Sequence, residues 1–165
     1  LGEVHNMNDV TIGQNAPEFS LPTDEGAIVT LANLRGKTII LYFYPKDDTT
    51  GCTAQAIAFS EMKAAFDAAG AVVIGVSKDK LSSHKKFRGK YGLKIVLASD
   101  FENHVAESYG VWVEKSMYGR KYMGMERSTF LIDGDGNIYH IWRKVKVAGH
   151  AEEVLKVMQK LGEQS

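Results

Sequence analysis

The chain has 165 residues, of which 44% are hydrophobic, and its 20 Lys and Arg residues balance 20 Asp and Glu residues. This length suits one well-packed core and is short for two, so we expect a single domain over residues 7–165. The balanced charge argues against a nucleic-acid or anionic-membrane partner, because neither would meet a strong positive field. The six residues before Met7 read as an expression remnant and are left out of the fold prediction.

Cys52 is the only cysteine in the sequence, so no disulfide can form within the chain. Such a composition is typical of proteins in a reducing compartment. No apolar run reaches the roughly 18 residues that a membrane span requires, and the first residues lack the apolar core of a signal peptide. We therefore expect a cytoplasmic protein that does not enter a membrane.

The first predicted elements are two short strands. They cover Phe19–Leu21 and Ala27–Leu31, and the turn-forming residues 23–26 lie between them. We expect an N-terminal hairpin.

A strand, a bend and a helix then follow in close succession. Thr38–Tyr44 is a β-branched and aromatic run of buried-strand length, and Pro45–Gly51 consists almost entirely of turn formers. The next segment, Cys52–Ala69, has apolar residues at helical spacing, and they are Phe59, Met62, Phe66 and Ala69. Gly70 ends this helix, and Ala71–Ser77 is a second strand, which completes a parallel βαβ unit.

The rest of the chain continues the alternation of helices and strands. Val111–Gly124 has no clear periodicity, and we expect an irregular surface segment near the site. The other predicted elements are helix Lys80–Tyr91, strand Ile95–Ala98, short helix Asn103–Tyr109, strands Ser128–Ile132 and Ile138–Trp142, and helix Ala151–Leu161. The pattern predicts an α/β fold with helices packed on a central sheet.

Cys52 is placed where a thiol can be reactive. It opens the predicted helix, where unpaired backbone N–H groups and the positive end of the helix dipole favour a thiolate over a thiol. It also lies beyond the carboxyl end of a parallel strand, where such sheets bind ligands. The alternative is a buried structural cysteine.

The residues around Cys52 resemble the active-site loop of peroxiredoxins. That loop has Pro, three residues, Thr or Ser, two residues and Cys, which Pro45, Thr49 and Cys52 match in the stretch YFYPKDDTTGCT. Three later stretches resemble the bacterioferritin-comigratory (PrxQ) branch of the family, and they are YGVW at 109–112, YGRKYMG at 118–124 and RSTFLID at 127–133. The resemblance implies a thioredoxin-like fold of the peroxiredoxin type, with a central mixed sheet flanked by helices and an N-terminal hairpin.

The resemblance also implies a thiol peroxidase that acts on hydrogen peroxide and alkyl hydroperoxides without a cofactor or metal. It assigns Cys52 as the peroxidatic nucleophile, Thr49 as the hydroxyl that orients the peroxide and Arg127 as the guanidinium beside the thiolate. Pro45 is expected to shield the pocket. Without the resemblance, Arg35, Arg120 and Lys46 would compete with Arg127.

The sequence departs from the family members that have a second, resolving cysteine. That thiol lies five residues after the first or in the next helix, and these positions hold Ile57 and, near the aligned site, Arg88. We therefore expect a one-cysteine cycle in which an external thiol, from thioredoxin or from glutaredoxin and glutathione, reduces the sulfenate of Cys52. We expect a monomer or a weak homodimer. Thr50, where Pro is common in the family, affects only the rigidity of the loop.

Other functions fit the sequence less well. A dithiol oxidoreductase would need cysteine at position 55, and a cysteine phosphatase would need arginine at position 58, where alanine stands. A cysteine hydrolase with a histidine partner stays open, because the sequence contains His84, His104 and His140. A non-catalytic thioredoxin-like binding module is the alternative from a different class. The Asp and Asn spacing in 133–137 resembles a calcium loop but lacks the bidentate Glu and the flanking helices.

Overall fold

The computed structural model describes residues 10–163. The expected remnant before Met7 and the expected start of the domain lie outside the described residues. The strands are β1 (Ser20–Pro22), β2 (Ile28–Thr30), β3 (Thr38–Phe43), β4 (Ala71–Ser77), β5 (Val96–Ser99), β6 (Trp112–Met117), β7 (Arg120–Met125), β8 (Ser128–Ile132) and β9 (Ile138–Trp142). The helices are α1 (Thr50–Glu61), α2 (Lys63–Ala68), α3 (Leu81–Tyr91), α4 (Val105–Ser108) and α5 (His150–Glu163).

A five-stranded mixed sheet in the order β5-β4-β3-β8-β9 forms the centre of the molecule. β3 pairs in parallel with β4, which pairs in parallel with β5. On its other side β3 pairs antiparallel with β8, which pairs antiparallel with β9. The mixed α/β sheet and the N-terminal hairpin of β1 and β2 are therefore confirmed.

The central strand β3 supplies side chains to hydrophobic clusters on both faces of the sheet. Ile39, Leu41 and Phe43 belong to a first cluster, which packs against the N-terminal segment and α4. Ile40 and Tyr42 belong to a second cluster, which packs against α1, α2, α3 and α5. This alternation follows from the two-residue period of a strand, and burial on both faces explains why β3 reads as a continuous apolar run.

Two predictions of secondary structure were wrong. The single helix over Cys52–Ala69 is two helices, because the backbone at Met62 leaves helical geometry, with φ −99° and ψ 8°. Ala69, expected on the inward face, is exposed. The segment predicted as irregular, Val111–Gly124, mostly forms the antiparallel hairpin of β6 and β7. Both strands of this hairpin are largely exposed, so no alternation of apolar residues marks them.

Other predictions hold closely. β4, β8 and β9 have the predicted bounds. Within residues 10–163, no helix has the length and apolar character needed to cross a bilayer.

Candidate active site

The candidate nucleophile lies inside the first turn of α1. Cys52 is the third residue of this helix and is 1% exposed. Its side chain joins the second cluster together with Tyr42 and Phe59, whose rings stack with centroids 4.8 Å apart. The thiol therefore points inward beneath the 45–51 bend, as its helical spacing predicts. The N–H groups of the first turn have no acceptor within the helix.

Arg127 reaches the thiol from a distant part of the sequence. Its Nη2 lies 3.4 Å from the Sγ of Cys52, and its Nη1 donates to the Oε1 of Gln55 at 2.7 Å. The sheet explains this meeting, because β8 begins opposite the end of β3, with Ser128 paired to Phe43. The residue just before β8 is thus held beside the bend that follows β3.

Gly51 makes room for the guanidinium. A Cβ atom at this position would lie 3.2 Å from the Nη2 of Arg127, closer than side-chain carbons normally pack. A larger residue next to Cys52 would therefore displace the cation that faces the sulfur.

Thr49 is the N-cap of α1, but its side chain makes no capping bond. Its hydroxyl instead donates to the carbonyl oxygen of Lys46 at 2.9 Å. The Thr49 side chain is exposed, and its hydroxyl is directed at this carbonyl and not at Cys52. A capping bond would have occupied an N–H group of the first turn, so the arrangement leaves those N–H groups open to a ligand.

Pro45 begins the bend directly after the buried Tyr44 and is exposed. Its part in shielding the pocket stays a prediction. Lys46, a competitor of Arg127 in the sequence, is also exposed. Arg35 lies away from the thiol, since its Nη1 donates to the carbonyl oxygen of Asp135 at 2.9 Å.

Three buried polar atoms among the described residues have no hydrogen-bond partner within the protein, and they are Tyr42 Oη, Thr53 Oγ1 and Gln55 Nε2. Burial raises the pKa of Tyr42 well above its ordinary value, the charge of Cys52 raises it further, and Arg127 opposes them. The Tyr42 hydroxyl therefore keeps its proton and stays a donor. A buried donor without a partner lowers the stability of the fold by about 1–3 kcal/mol. All three atoms belong to residues close to the thiol.

The histidines that a hydrolase would use lie elsewhere. His84 bonds to Asp47 and to the carbonyl of Ala98. The His104 side chain is 84% exposed beside Glu107. The His140 ring packs against Trp142, with centroids 4.3 Å apart.

The predicted hairpin turn at 133–137 is held by its first carboxylate. The Oδ1 of Asp133 accepts from the backbone N–H groups of Asp135 and Asn137, both at 3.0 Å. Across residues 10–163, no three His, Cys, Asp or Glu side chains are grouped closely enough to bind a metal ion.

Sequence reasoning missed a buried polar network beneath the bend. The side chain of Asp47, which is 3% exposed, accepts hydrogen bonds from Tyr44, Ser83 and His84. The only signal in the sequence was a carboxylate within a loop of turn formers, which reads as a solvated turn residue. His150, at the start of α5, was also missed, because its burial depends on the packing of α5 against the sheet.

Comparisons with known proteins identify the family of the chain. The AhpC/TSA family matches residues 12–141. The putative peroxiredoxin bcp of Coxiella burnetii is 52% identical over 146 residues, which cover 88% of this chain and 97% of that protein. Peroxiredoxin Bcp of Bacillus subtilis is 46% identical, with 93% and 98% covered.

Solved structures give the same result. A structure of the Xanthomonas campestris bacterioferritin comigratory protein, described for its alkyl peroxide reduction activity, has a TM-score of 0.84 at 40% identity and covers 87% of this chain and 92% of its own. A mutant of Xylella fastidiosa PrxQ has a TM-score of 0.86 at 36% identity, with 92% and 96% covered. The chain therefore belongs to the AhpC/TSA family, in its Bcp (PrxQ) branch of peroxiredoxins, and is a thiol peroxidase.

Proposed function

We propose that Cys52 is the peroxidatic nucleophile of a one-cysteine cycle. Its thiolate attacks one oxygen of hydrogen peroxide or an alkyl hydroperoxide, so that an S–O bond forms as the O–O bond breaks. The other oxygen leaves as hydroxide or alkoxide and takes up a proton. The sulfur is oxidised to a sulfenic acid, and the peroxide is reduced to water or an alcohol.

The observation that carries this proposal is the contact between Arg127 and Cys52. A guanidinium 3.4 Å from a buried sulfur places a positive charge beside the nucleophile and can also hold an oxygen that gains charge as the O–O bond breaks. The open N–H groups of the first turn of α1, which contains Cys52, offer further donors. Such donors fixed in place lower the barrier more than donors that must reorient.

Thr49 has a different part in the proposal. Its hydroxyl proton is directed at the carbonyl of Lys46, so the lone pairs of its oxygen are free to accept a hydrogen bond. A hydroperoxide has a proton to donate, and accepting it would orient the O–O bond towards Cys52. Pro45 would shield the entrance, next to the bend that carries Thr49.

An external thiol completes the cycle. The thiol attacks the sulfenic acid and releases water to form a mixed disulfide, and a second thiol then releases Cys52 and leaves as the oxidised disulfide. The proposed donors are thioredoxin or glutaredoxin with glutathione, in a reducing cytoplasm. The relatives named peroxiredoxin support a peroxide substrate and a thiol reductant. We propose a monomer or weak homodimer.

The absence of a second thiol at the aligned positions supports this cycle. Position 57 holds isoleucine within α1. Position 88 holds an arginine whose Nε and Nη2 donate to the carboxylate of Asp24 at 2.6 and 3.0 Å. An ion pair thus occupies this part of α3.

A coupled peroxidase assay tests the function. Peroxide consumption is followed with thioredoxin, with glutaredoxin and glutathione, and with dithiothreitol as the only reductant, for the parent and for Cys52→Ser. We expect turnover with at least one physiological thiol and none in the variant. Turnover in Cys52→Ser would contradict the assignment of the nucleophile.

Mass spectrometry tests the one-cysteine cycle. Without a thiol, peroxide should add one and then two oxygens to the intact chain at Cys52. A stable product that has lost two hydrogens, once a sulfenamide is excluded, would contradict a cycle through free sulfenate.

A further inference from the structure

We propose that Asp79 and the buried pair of Asp47 and His84 are positioning residues that set the direction of the Thr49 hydroxyl. This inference rests on the proposed role of Thr49 and adds the device that fixes it. Asp79 bonds to the backbone of the loop and His84 bonds to the side chain of Asp47, so all three act on the site through the loop.

The peptide between residues 46 and 47 is held at both ends. Its carbonyl oxygen, on Lys46, accepts the Thr49 hydroxyl at 2.9 Å. Its N–H, on Asp47, donates to the Oδ2 of Asp79 at 2.9 Å. The C=O and N–H of one peptide are fixed in a plane, so Asp79 sets where the carbonyl points and hence where the Thr49 proton goes. A rotated peptide would free that proton and misdirect the lone pairs that the peroxide needs.

Asp79 is itself held in place by hydrogen bonds from Ser77 and Ser99. It follows β4, and its Oδ2 accepts the hydroxyl of Ser77 at 2.6 Å, while its carbonyl oxygen accepts the hydroxyl of Ser99 at 2.6 Å. The acceptor for the loop N–H is therefore anchored by hydrogen bonds to the last residues of β4 and β5, within the central sheet.

The side chain of Asp47 ties the same peptide to the end of β3 and to α3. Its Oδ1 accepts the Tyr44 hydroxyl at 2.6 Å, and its Oδ2 accepts Ser83 Oγ at 2.8 Å and lies 2.7 Å from His84 Nδ1. A carboxylate that is 3% exposed costs much free energy unless a cation and donors compensate it. Breaking any of these bonds should therefore loosen the loop.

The cation is His84, whose two ring nitrogens both face acceptors. Nδ1 faces the carboxylate of Asp47, and Nε2 lies 3.0 Å from the carbonyl oxygen of Ala98 in β5. A neutral imidazole can donate from only one nitrogen, so the surroundings select the doubly protonated ring. The facing groups are Asp47 from the loop, Asp79 after β4, the Tyr44 ring directly after β3 and the Ala98 carbonyl. Burial lowers the pKa of His84, but the bond and charge of Asp47, the Ala98 carbonyl and Asp79 outweigh it, so the pKa is raised.

The protonation of His84 can be measured on the parent protein. Long-range proton–nitrogen NMR spectra of the histidine rings distinguish the imidazolium from either neutral tautomer. At pH 7 we expect the signals of an imidazolium for His84. A neutral His84 ring at pH 7 would overturn the inference.

A double-mutant cycle then separates positioning from mere support of the fold. The measured quantity is the second-order rate constant of Cys52 with hydrogen peroxide, in the parent and in Thr49→Val. In the parent background we expect His84→Asn and Asp79→Ala each to slow the reaction by about 10- to 100-fold. In the Thr49→Val background each substitution should lower the rate constant by about twofold or less, because the hydroxyl that these residues position is absent. The control His104→Asn should leave the rate constant unchanged in both backgrounds.

The outcomes distinguish the inference from the function on which it rests. Equal losses in both backgrounds would show a merely structural role and overturn the inference. If Thr49→Val reacts like the parent, the proposed role of Thr49 fails first, and the inference falls with it. Should His84→Asn not fold by circular dichroism, Asp79→Ala decides alone, because it keeps the pair of Asp47 and His84 and removes the carboxylate that accepts the Asp47 N–H.

Discussion

Arg127 shows what one side chain can do when two elements bring it to a helix terminus. Its two terminal nitrogens reach different partners, the sulfur of Cys52 and the amide oxygen of Gln55. The bond to Gln55 holds the plane of the guanidinium, so the nitrogen near the sulfur keeps its direction. Such a planar fork cannot be reproduced by the single charged nitrogen of a lysine.

Arg127→Ala and Arg127→Lys should therefore both slow the reaction of Cys52 with peroxide, the alanine variant more than the lysine variant. We expect Ala to lower the rate constant of Cys52 with hydrogen peroxide by about 10²- to 10³-fold, the usual cost of losing one fixed donor to a developing charge. Lys should restore part of this loss because it keeps the charge. Stopped-flow kinetics measures both, and Arg120→Ala, on the exposed strand β7, is the control. A Lys variant as fast as the parent would contradict the need for the fork.

The close contact between β4 and β3 gives a prediction about stability. A Cβ at Gly75 would lie 2.8 Å from both Cζ and Oη of Tyr42. Both residues are buried, so nothing can move aside cheaply. Gly75→Ala should cost about 1–3 kcal/mol by overpacking.

The matched change is Gly89→Ala in α3, where an added Cβ meets nothing within 4 Å. It should stabilise the protein by about 0.5–1 kcal/mol, because alanine favours a helix over glycine. Urea unfolding of both variants makes the comparison. A Gly75→Ala midpoint at or above that of the parent would show that Tyr42 has room to move.

At the scale of elements, the sequence was informative where one face or both faces are buried. The run of β3 and the stripe of Phe59 and Phe66 have the periods that burial imposes, and the structure buries them. No Gly or Pro marks the helix break at Met62, so the sequence did not predict it. The hairpin of β6 and β7 is mostly exposed, so it leaves no apolar pattern.

The candidate site divides in the same way. Thr49 lies in the bend and Cys52 directly follows it, and local spacing was enough to place Cys52 at the helix start. The meeting of Arg127 with Cys52 spans 75 residues and depends on the pairing of β8 with β3. The contact of Asp47 with His84 spans 37 residues and depends on the packing of α3. Neither pairing is contained in local patterns.

A new thiol in α1 would test how easily this helix opens. Five residues along a helix separate two Cα atoms by roughly 9 Å, and a disulfide tolerates about 7 Å at most. Ile57→Cys, oxidised with one equivalent of peroxide, should therefore form a bond to Cys52 only with loss of helical circular dichroism. A helix terminus opens at a lower cost than the whole fold.

Ile57→Ser is the matched control, because it loses similar packing without adding a thiol. Ile57 is half-buried against the second cluster, so both variants should be somewhat less stable than the parent. The control should keep its helical signal after oxidation. A disulfide between positions 52 and 57 with an unchanged signal would contradict the observed helix start.

At the scale of the whole molecule, His150 links the packing of α5 to pH. Its Nε2 lies 2.8 Å from the hydroxyl of Thr129 in β8, and its ring meets Phe59 and Trp142 edge to face. Burial lowers the pKa of His150 to about 4, with Glu153 opposing and the charge of Arg127 adding to the effect. The fold therefore holds this ring neutral.

The sign of the linkage follows from this lowered pKa. An unfolded histidine binds a proton near pH 6.5, whereas the folded one stays neutral down to about pH 4. Between these values the unfolded state binds more protons, so the free energy of unfolding falls as the pH falls. The contribution of His150 is complete above pH 6.5 and is lost towards pH 4. His84, with its raised pKa, acts in the opposite direction, because its contribution to stability is gained as the pH falls towards 6.5 and is complete below that value.

Comparing the parent with His150→Gln separates the two histidines, since His84 is common to both. Glutamine can still bond to Thr129 but does not titrate in this range. We expect the stability of the parent relative to the variant to fall by about 3 kcal/mol between pH 7 and pH 4, from roughly 2.5 pKa units at 1.36 kcal/mol each. Urea unfolding at several pH values measures it, with the half-buried His140→Gln as the control. A difference that does not change with pH would mean that His150 gains its proton in the folded state as readily as in the unfolded chain, and the packing of α5 against β8 would then have to admit a charge.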